Sequence, residues 1–194
     1  MEYDADKKEI KLDRKLSSLD ELVVRFTKII QKYADYVIIS GYISILLGRS
    51  RATEDVDLFI KKIPFEKFLK LYGDLKQNGF WCLNAEKPEE VFSFLKDGLA
   101  VRFALLNKSI PNFEVKFPKR AIDEGTFHDF ILVNLLDNNK LKISSLERQI
   151  AFKRYYLKSE KDIEDALHVE ELFKNKMDYN KINKLKDIIK NIKN

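Results

Sequence analysis

Two hydrophobic periods alternate along the first three quarters of the chain, and only the helical one continues beyond. Leu22, Phe26, Ile29, Ile30 and Tyr33 recur at helical spacing behind a capping box of Ser18 and Glu21, which predicts an amphipathic helix. The β-branched run Tyr36-Val37-Ile38-Ile39 then reads as a buried strand ending at Ser40-Gly41. A second strand starts at Asp55-Val56-Asp57 and runs into Leu58-Phe59-Ile60. Pro64 opens a helix with Phe65, Phe68, Leu69, Tyr72 and Leu75 on one face, and Asn78-Gly79 closes it. Residues 80–83 and 99–106 read as strands on either side of a short helix over 88–96. After the Pro111-Asn112 turn, strict alternation from Phe113 to Phe117 puts three apolar residues on one face and Glu114 and Lys116 on the other. Residues 131–136 and 141–143 are extended around an Asp137-Asn138-Asn139 turn. Residues 1–15 alternate charges and read as a frayed end or an edge strand.

From Ser144 onward the pattern is helical. Leu146, Ile150 and Leu157 define an apolar stripe, and Lys153 falls in its gap and so faces inward. An inward ammonium needs an anion, either a nucleotide phosphate or an acidic side chain, unless its head snorkels to water. Ser159 and Asp162 form another capping pair, and Asp162 heads a stripe with Ala166, Val169 and Phe173. The last helix places Ile182, Leu185, Ile188, Ile189 and Ile192 together. With seven lysines against two aspartates from residue 174 on, it is an RNA-facing helix or a packed helix with a solvated lysine face. The pattern thus predicts an α/β sheet unit over residues 1–143 and a helical part over 144–194 packed on it.

Composition narrows the setting. A chain of 194 residues, 45% hydrophobic and 35% charged, suits one globular unit with a densely charged surface. Cys82 is the only cysteine, which excludes an intramolecular disulfide. The polar start lacks the apolar core of a signal peptide, so a cytoplasmic location is the default expectation. The longest mostly apolar run, residues 36–48, is shorter than the roughly 20 residues of a membrane span. A net charge of +5 favours a polyanionic partner such as a nucleotide or RNA. His128 and His168 match no metal-ligand spacing and read as structural.

The chemistry concentrates in residues 40–60, SGYISILLGRSRATEDVDLFI. Gly41, between a strand and a helix start, lets the backbone approach a phosphate. On a strand, Asp55 and Asp57 point the same way, about 6.5 to 7 Å apart along the backbone. Paired carboxylates at that spacing suit one or two magnesium ions, which take oxygen ligands and bridge substrate phosphates. Each feature alone is common, as a tight turn or a solvated strand end.

Together they resemble the signature of the nucleotidyltransferase superfamily related to DNA polymerase β. More narrowly they resemble the abortive-infection type nucleotidyltransferases and their small bacterial and archaeal relatives, which implies a toxin-antitoxin-like setting, with Arg-x-Thr-x-Asp-x-Asp standing here as Arg51, Thr53, Asp55 and Asp57. A second match lies in the C-terminal helices at Lys153, Lys161, Asp162 and Asp165, so the resemblance covers roughly residues 36–60 and 145–173. It implies a nucleotidyltransferase fold, with a mixed sheet flanked by helices. It also implies transfer of a nucleoside monophosphate from an NTP to RNA, a protein or a small molecule, using Mg2+ (or Mn2+) and releasing pyrophosphate. The implied nucleotide-binding residues are Ser40, Gly41, Tyr42, Arg51, Thr53, Lys153 and Asp162; Asp55 and Asp57 hold metal. The family's third carboxylate falls to Glu114, with Asp123 competing, although Glu114 also has Lys116 to pair with. One departure is Tyr42, where these families carry Ser or Gly, because a tyrosine cannot offer its hydroxyl to phosphate from the same place. The alternative reading is therefore a catalytically weakened relative that binds nucleotide or RNA as a regulatory partner. A sugar-nucleotide transferase using Asp-x-Asp with manganese lacks support from the glycine and arginine context. The acceptor, the preferred NTP, any partner protein and the oligomeric state are not written in these residues.

Overall fold

The computed structural model describes residues 1–193. Among the described residues, nine strands form one mixed sheet: β1 (Glu2–Asp4), β2 (Glu9–Lys11), β3 (Tyr36–Ile39), β4 (Asp55–Ile60), β5 (Phe80–Cys82), β6 (Val101–Leu105), β7 (Asn112–Lys116), β8 (Phe130–Asn134) and β9 (Lys140–Ser144). Their order is β1-β2-β8-β9-β3-β4-β7-β6-β5, with β2/β8, β3/β9 and β4/β7 parallel and the other neighbours antiparallel. The charged N-terminus is thus an edge hairpin, anchored by buried Tyr3 and Ile10.

The helices are α1 (Ser18–Ile30), α2 (Gly41–Leu46), α3 (Phe65–Gln77), α4 (Pro88–Lys96), α5 (Ala121–Glu124), α6 (Leu146–Ala151), α7 (Glu160–Phe173) and α8 (Tyr179–Lys193). The two faces of the sheet differ in kind. Val56, Leu58 and Ile60 of β4 and Phe113 and Val115 of β7 are buried, and Phe26 of α1 stacks on Phe113 with centroids 3.8 Å apart. By alternation, Asp55, Asp57 and Phe59 of β4 and Glu114 and Lys116 of β7 project from the opposite face. That face carries the polar groups. One continuous apolar cluster includes residues of α1, α3 and α4 and also Leu146, Ile150, Ala166, Val169 and Ile182 of the C-terminal helices.

Several local expectations shift. The box at α1 is closed by Ser17 and Asp20 rather than by Ser18 and Glu21. Starting one residue earlier turns Asp20 inward, where buried partners await it. On α3 the buried face is Phe68, Leu71 and Leu75, and Leu69 is exposed. On α8, Ile182, Leu185 and Ile189 are buried whereas Ile188 and Ile192 are exposed. Leu157 is 48% exposed because α6 runs on into a π-helical stretch, Phe152–Leu157, closed by Lys158 at φ 68°. Its wider turn, with the Lys158 amide donating to the Lys153 carbonyl, rotates the end of the stripe out of the core.

Candidate active site

Two cavities meet on the polar face of β4. The smaller, about 290 Å³, is lined by Ser40, Gly41, Arg51, Thr53, Asp55, Asp57, Lys153, Ser159, Lys161 and Asp162. The larger, about 440 Å³, shares Ser40, Asp57, Lys153 and Leu157 with it and extends over Phe59, Lys116 and the helix that begins at Leu146. Sequence-distant residues 40–57 and 153–162 are thereby brought to one cleft.

The turn between β3 and α2 is held in an unusual backbone state. Ser40 has φ 65° and ψ −141°, a region that costs about 1–3 kcal/mol for a residue with a side chain. Its carbonyl accepts from Gln149 Nε2, and the Gln149 oxygen accepts from Ser144 Oγ at 3.3 Å. The Arg51 guanidinium covers the turn closely: a Cβ at position 41 would lie 3.1 Å from it, so a side chain there would make the arginine shift by a few tenths of an ångström. The first amides of a helix have no partner within it, and the residues of this turn, Ser40 and Gly41, line the cleft.

Tyr42 is corrected. Its side chain is fully buried, pointing away from the cleft, and its hydroxyl donates to Asp20 Oδ1 at 2.7 Å. Burial, and next the Asp20 carboxylate, push the phenol well above its ordinary pKa. Tyr42 offers only its backbone to a ligand, and it leaves the cleft unobstructed.

Asp55 and Asp57 share the cleft face of β4, and Thr53 Oγ donates to the Asp55 carbonyl at 2.9 Å. In the parallel ladder Asp57 stands opposite Glu114. Lys116 Nζ bridges them, 3.2 Å from Asp57 Oδ1 and 2.5 Å from Glu114 Oε1. Burial raises the Asp57 pKa, and the neighbouring carboxylates of Glu114 and Asp55 add to this against the pull of Lys116. Glu114 moves the other way: burial would raise it, but Lys116 and Arg102 hold it low.

Both carboxylate oxygens of Glu114, the candidate third ligand, are engaged. One oxygen is held by Lys116 and the other by Arg102, at 3.0 Å. Among the described residues, no set of three His, Cys, Asp or Glu side chains is gathered as a metal site would gather them. Asp55 and Asp57 alone offer hard oxygen donors to a cation, which fits magnesium bound through one or two carboxylates plus substrate phosphates. Asp123 is engaged by Arg120 at 2.9 Å, on the wall of the larger cavity.

Lys153 is 1% exposed, with its ammonium 3.0 Å from Asp162 and 2.7 Å from Asp165. An acidic pair thus meets its need for an anion. Asp165, fully buried, also receives Arg49 and Arg51. This hub ties α7 to the segment after α2 and fixes the arginine over Gly41. Arg49 and the hub role of Asp165 escape the pattern of the sequence, since nothing local marks three cations converging from positions 49, 51 and 153. The histidines stay outside this chemistry, His168 Nε2 lying 3.3 Å from the Leu47 carbonyl.

The mixed sheet, the glycine turn and the carboxylate strand define the nucleotidyltransferase fold. No protein-family model matches the sequence, and no curated protein does. Solved structures do match. An antigenic nucleotidyltransferase-like protein from Paracoccidioides brasiliensis superposes with a TM-score of 0.55 at 21% identity, covering 91% of this chain and 88% of that one. ANT(2″)-Ia in complex with adenylyl-2″-tobramycin gives a TM-score of 0.57 at 13% identity, over 92% of this chain and 100% of that one. The solution structure of the antibiotic-resistance factor ANT(2″)-Ia gives 0.54 at 15% identity, over 89% and 93%. No helix among the described residues is long and apolar enough to cross a membrane.

Proposed function

We propose that this protein is a metal-dependent nucleotidyltransferase that moves a nucleoside monophosphate from an NTP to an acceptor. The observation that carries this reading is the placement of Asp55 and Asp57 side by side on the floor of a cavity whose walls are Gly41, Arg51, Thr53 and Lys153. Asp55 and Asp57 hold the cation. Bound there, magnesium or manganese supplies charge neutralisation for the triphosphate and activation of the α-phosphorus. The Ser40-Gly41 turn, Arg51 and Thr53 orient the phosphates, and Lys153, fixed by Asp162 and Asp165, adds positive charge at the seam of the cavities. The acceptor oxygen bonds to the α-phosphorus as the bond to the β-phosphate oxygen breaks. Pyrophosphate leaves with that electron pair, and a hydroxyl acceptor gives its proton to water. The matching complex of ANT(2″)-Ia with adenylyl-2″-tobramycin supports nucleotide transfer on this fold.

The test is transfer of α-labelled nucleotide from each NTP to the molecules of a cell extract. Asp55→Asn and Asp57→Asn are each expected to lower labelling by at least about 100-fold, the scale of losing charge stabilisation in a transition state. Unchanged labelling by folded variants would refute the assignment. The salt-bridged Glu114 favours one second reading, a weakened relative acting as a nucleotide- or RNA-binding regulatory partner. It requires that the wild type bind NTP with magnesium and move no label at all.

A further inference from the structure

The larger cavity has a composition that the triphosphate site does not explain. Its walls are Phe59, Phe117, Phe152 and Tyr156, and its rim carries Lys119 and Arg120. Phe59 lies half-buried two residues beyond Asp57 on the same face of β4, and among the described residues no other aromatic ring packs against it. Arg120 lies 4.9 Å over the ring of Tyr156. The remaining lining cations are committed: Lys116 to Asp57 and Glu114, Arg148 to Asp129, and Lys153 to Asp162 and Asp165. Lys119 is different, exposed and without an ion-pair partner among the described residues. Its stem lies over Gly98, whose φ of 68° after the end of α4 already favours glycine, with Lys119 Cε 1.7 Å from where a Cβ of that residue would stand.

We propose that this cavity binds the acceptor, and that the acceptor is a compact anion bearing an aromatic or other planar ring. The inference rests on the nucleotidyltransferase reading above. Asp55 borders only the smaller cavity, whereas Asp57 borders both. The phosphate-orienting features, Gly41, Arg51 and Thr53, all line the smaller one. An in-line displacement needs attacking and leaving oxygens on opposite sides of the phosphorus. With the leaving side occupied by the turn and Arg51, the attacking side lies across Asp57, in the larger cavity. About 440 Å³ is the size of a small-molecule site, where half-buried Phe59 offers a ring with no aromatic partner among the described residues and Lys119 offers an uncommitted positive charge. A polycationic acceptor would meet that lysine as a like charge, Arg120 being paired with Asp123.

A free aromatic phosphate and the terminal nucleotide of an RNA share this chemistry, and the test separates them. Binding of 1-naphthyl phosphate is measured by calorimetry on the full chain, both free and saturated with a non-hydrolysable NTP analogue and magnesium. Lys119→Glu, Lys119→Arg and the polyamine spermine serve as comparisons. The expected result is that 1-naphthyl phosphate binds the NTP-loaded protein. Lys119→Glu should weaken it about tenfold or more, Lys119→Arg should restore it, and NTP affinity should stay within about twofold. A trinucleotide that displaces the probe from the loaded protein identifies an RNA end as the source; one that does not leaves a small molecule as the source. The inference is overturned if the NTP analogue expels the probe, which would make the cavity the seat of the nucleotide's own base. It is overturned equally if spermine binds better, if Lys119→Glu changes nothing, or if the probe does not bind. Failure of the protein to bind the NTP analogue is read in a separate titration and sinks the nucleotidyltransferase assignment instead.

Discussion

Asp57 and Asp165 both lie close to the cleft within a hydrogen bond of a lysine, yet their surroundings are built in opposite ways. Around Asp57, on β4, carboxylates crowd together: Asp55 shares its face, Glu114 is its cross-strand neighbour, and Lys116 bridges Asp57 and Glu114. Asp57 stays open to the cavities, and its carboxyl is pushed up by burial and by neighbouring carboxylates. Around Asp165, on α7, cations crowd instead: Arg49, Arg51 and Lys153 all reach a carboxylate that is sealed from water. The first cluster keeps an excess of negative charge, three carboxylates against Lys116 and Arg102, and can accept a bound cation. The second is already complete and serves to hold elements together. Close proximity to the cleft therefore does not equate the two aspartates, and their removal should have different consequences.

The largest effect is expected at the closed cluster. Asp165→Ala leaves three cations around an emptied site and should cost about 3–5 kcal/mol of stability, read from urea denaturation. A loss below 1 kcal/mol would mean that the hub is ornamental and the contrast with Asp57 mistaken. Next comes Asp20, whose two oxygens take Arg14 at 2.7 Å, the Ser17 amide at 2.8 Å and the Tyr42 hydroxyl at 2.7 Å. Burial would raise its pKa, but these donors outweigh burial and hold it below the ordinary 3.8. A carboxyl lowered on folding contributes stability that is complete above its unfolded-state value and is lost as pH falls through the folded one. Asp20→Asn should therefore cost about 2 kcal/mol at neutral pH and flatten the acid side of the stability profile below about pH 4. Tyr42→Phe should be milder, about 1 kcal/mol, since it removes one of several donors to that carboxylate. Nucleotide transfer should survive it, because the hydroxyl never reaches the cleft.

These three residues also mark where the sequence could and could not be read. Asp-x-Asp was legible because a strand's alternation fixes which way its side chains point, and β4 obeys it without interruption. Helices α3 and α4 were legible from Pro64, Asn78-Gly79 and Pro88, whose backbone constraints act locally. The direction of Tyr42 was not, because a glycine turn fixes the path of the chain and not the outward or inward choice of the next side chain. That choice was made by Asp20, 22 positions earlier, which becomes a buried acceptor only when the cap sits at Ser17. The inward place of Lys153 followed from helical spacing, whereas the exposure of Leu157 did not, since a π-helical stretch begins at Phe152 and breaks the 3.6-residue count. The larger cavity was invisible for a related reason. Phe59, the loop residues Phe117 and Arg120, and Phe152 come from three separate segments, and no local period relates them.

The smallest stability effect is expected at the open cluster, and it is the sharpest test of the comparison. Asp57 in its ionised form sits beside two other carboxylates, and folding raises rather than lowers its pKa. For a carboxyl raised on folding, the charged form is the disfavoured one, so above the folded pKa ionised Asp57 lowers stability relative to a neutral side chain. Asp57→Asn keeps the shape, removes that charge and leaves Lys116 its bond to Glu114. The variant should unfold within about 1 kcal/mol of the wild type, or later, while losing nucleotide transfer. Magnesium should reverse the order: by binding the folded wild type it raises the melting temperature in proportion to RT ln(1 + [L]/Kd), and it should do so far less for the variant. If Asp57→Asn instead destabilises as strongly as Asp165→Ala and magnesium shifts neither protein, Asp57 is a structural partner like Asp165, and the strand pair holds no cation.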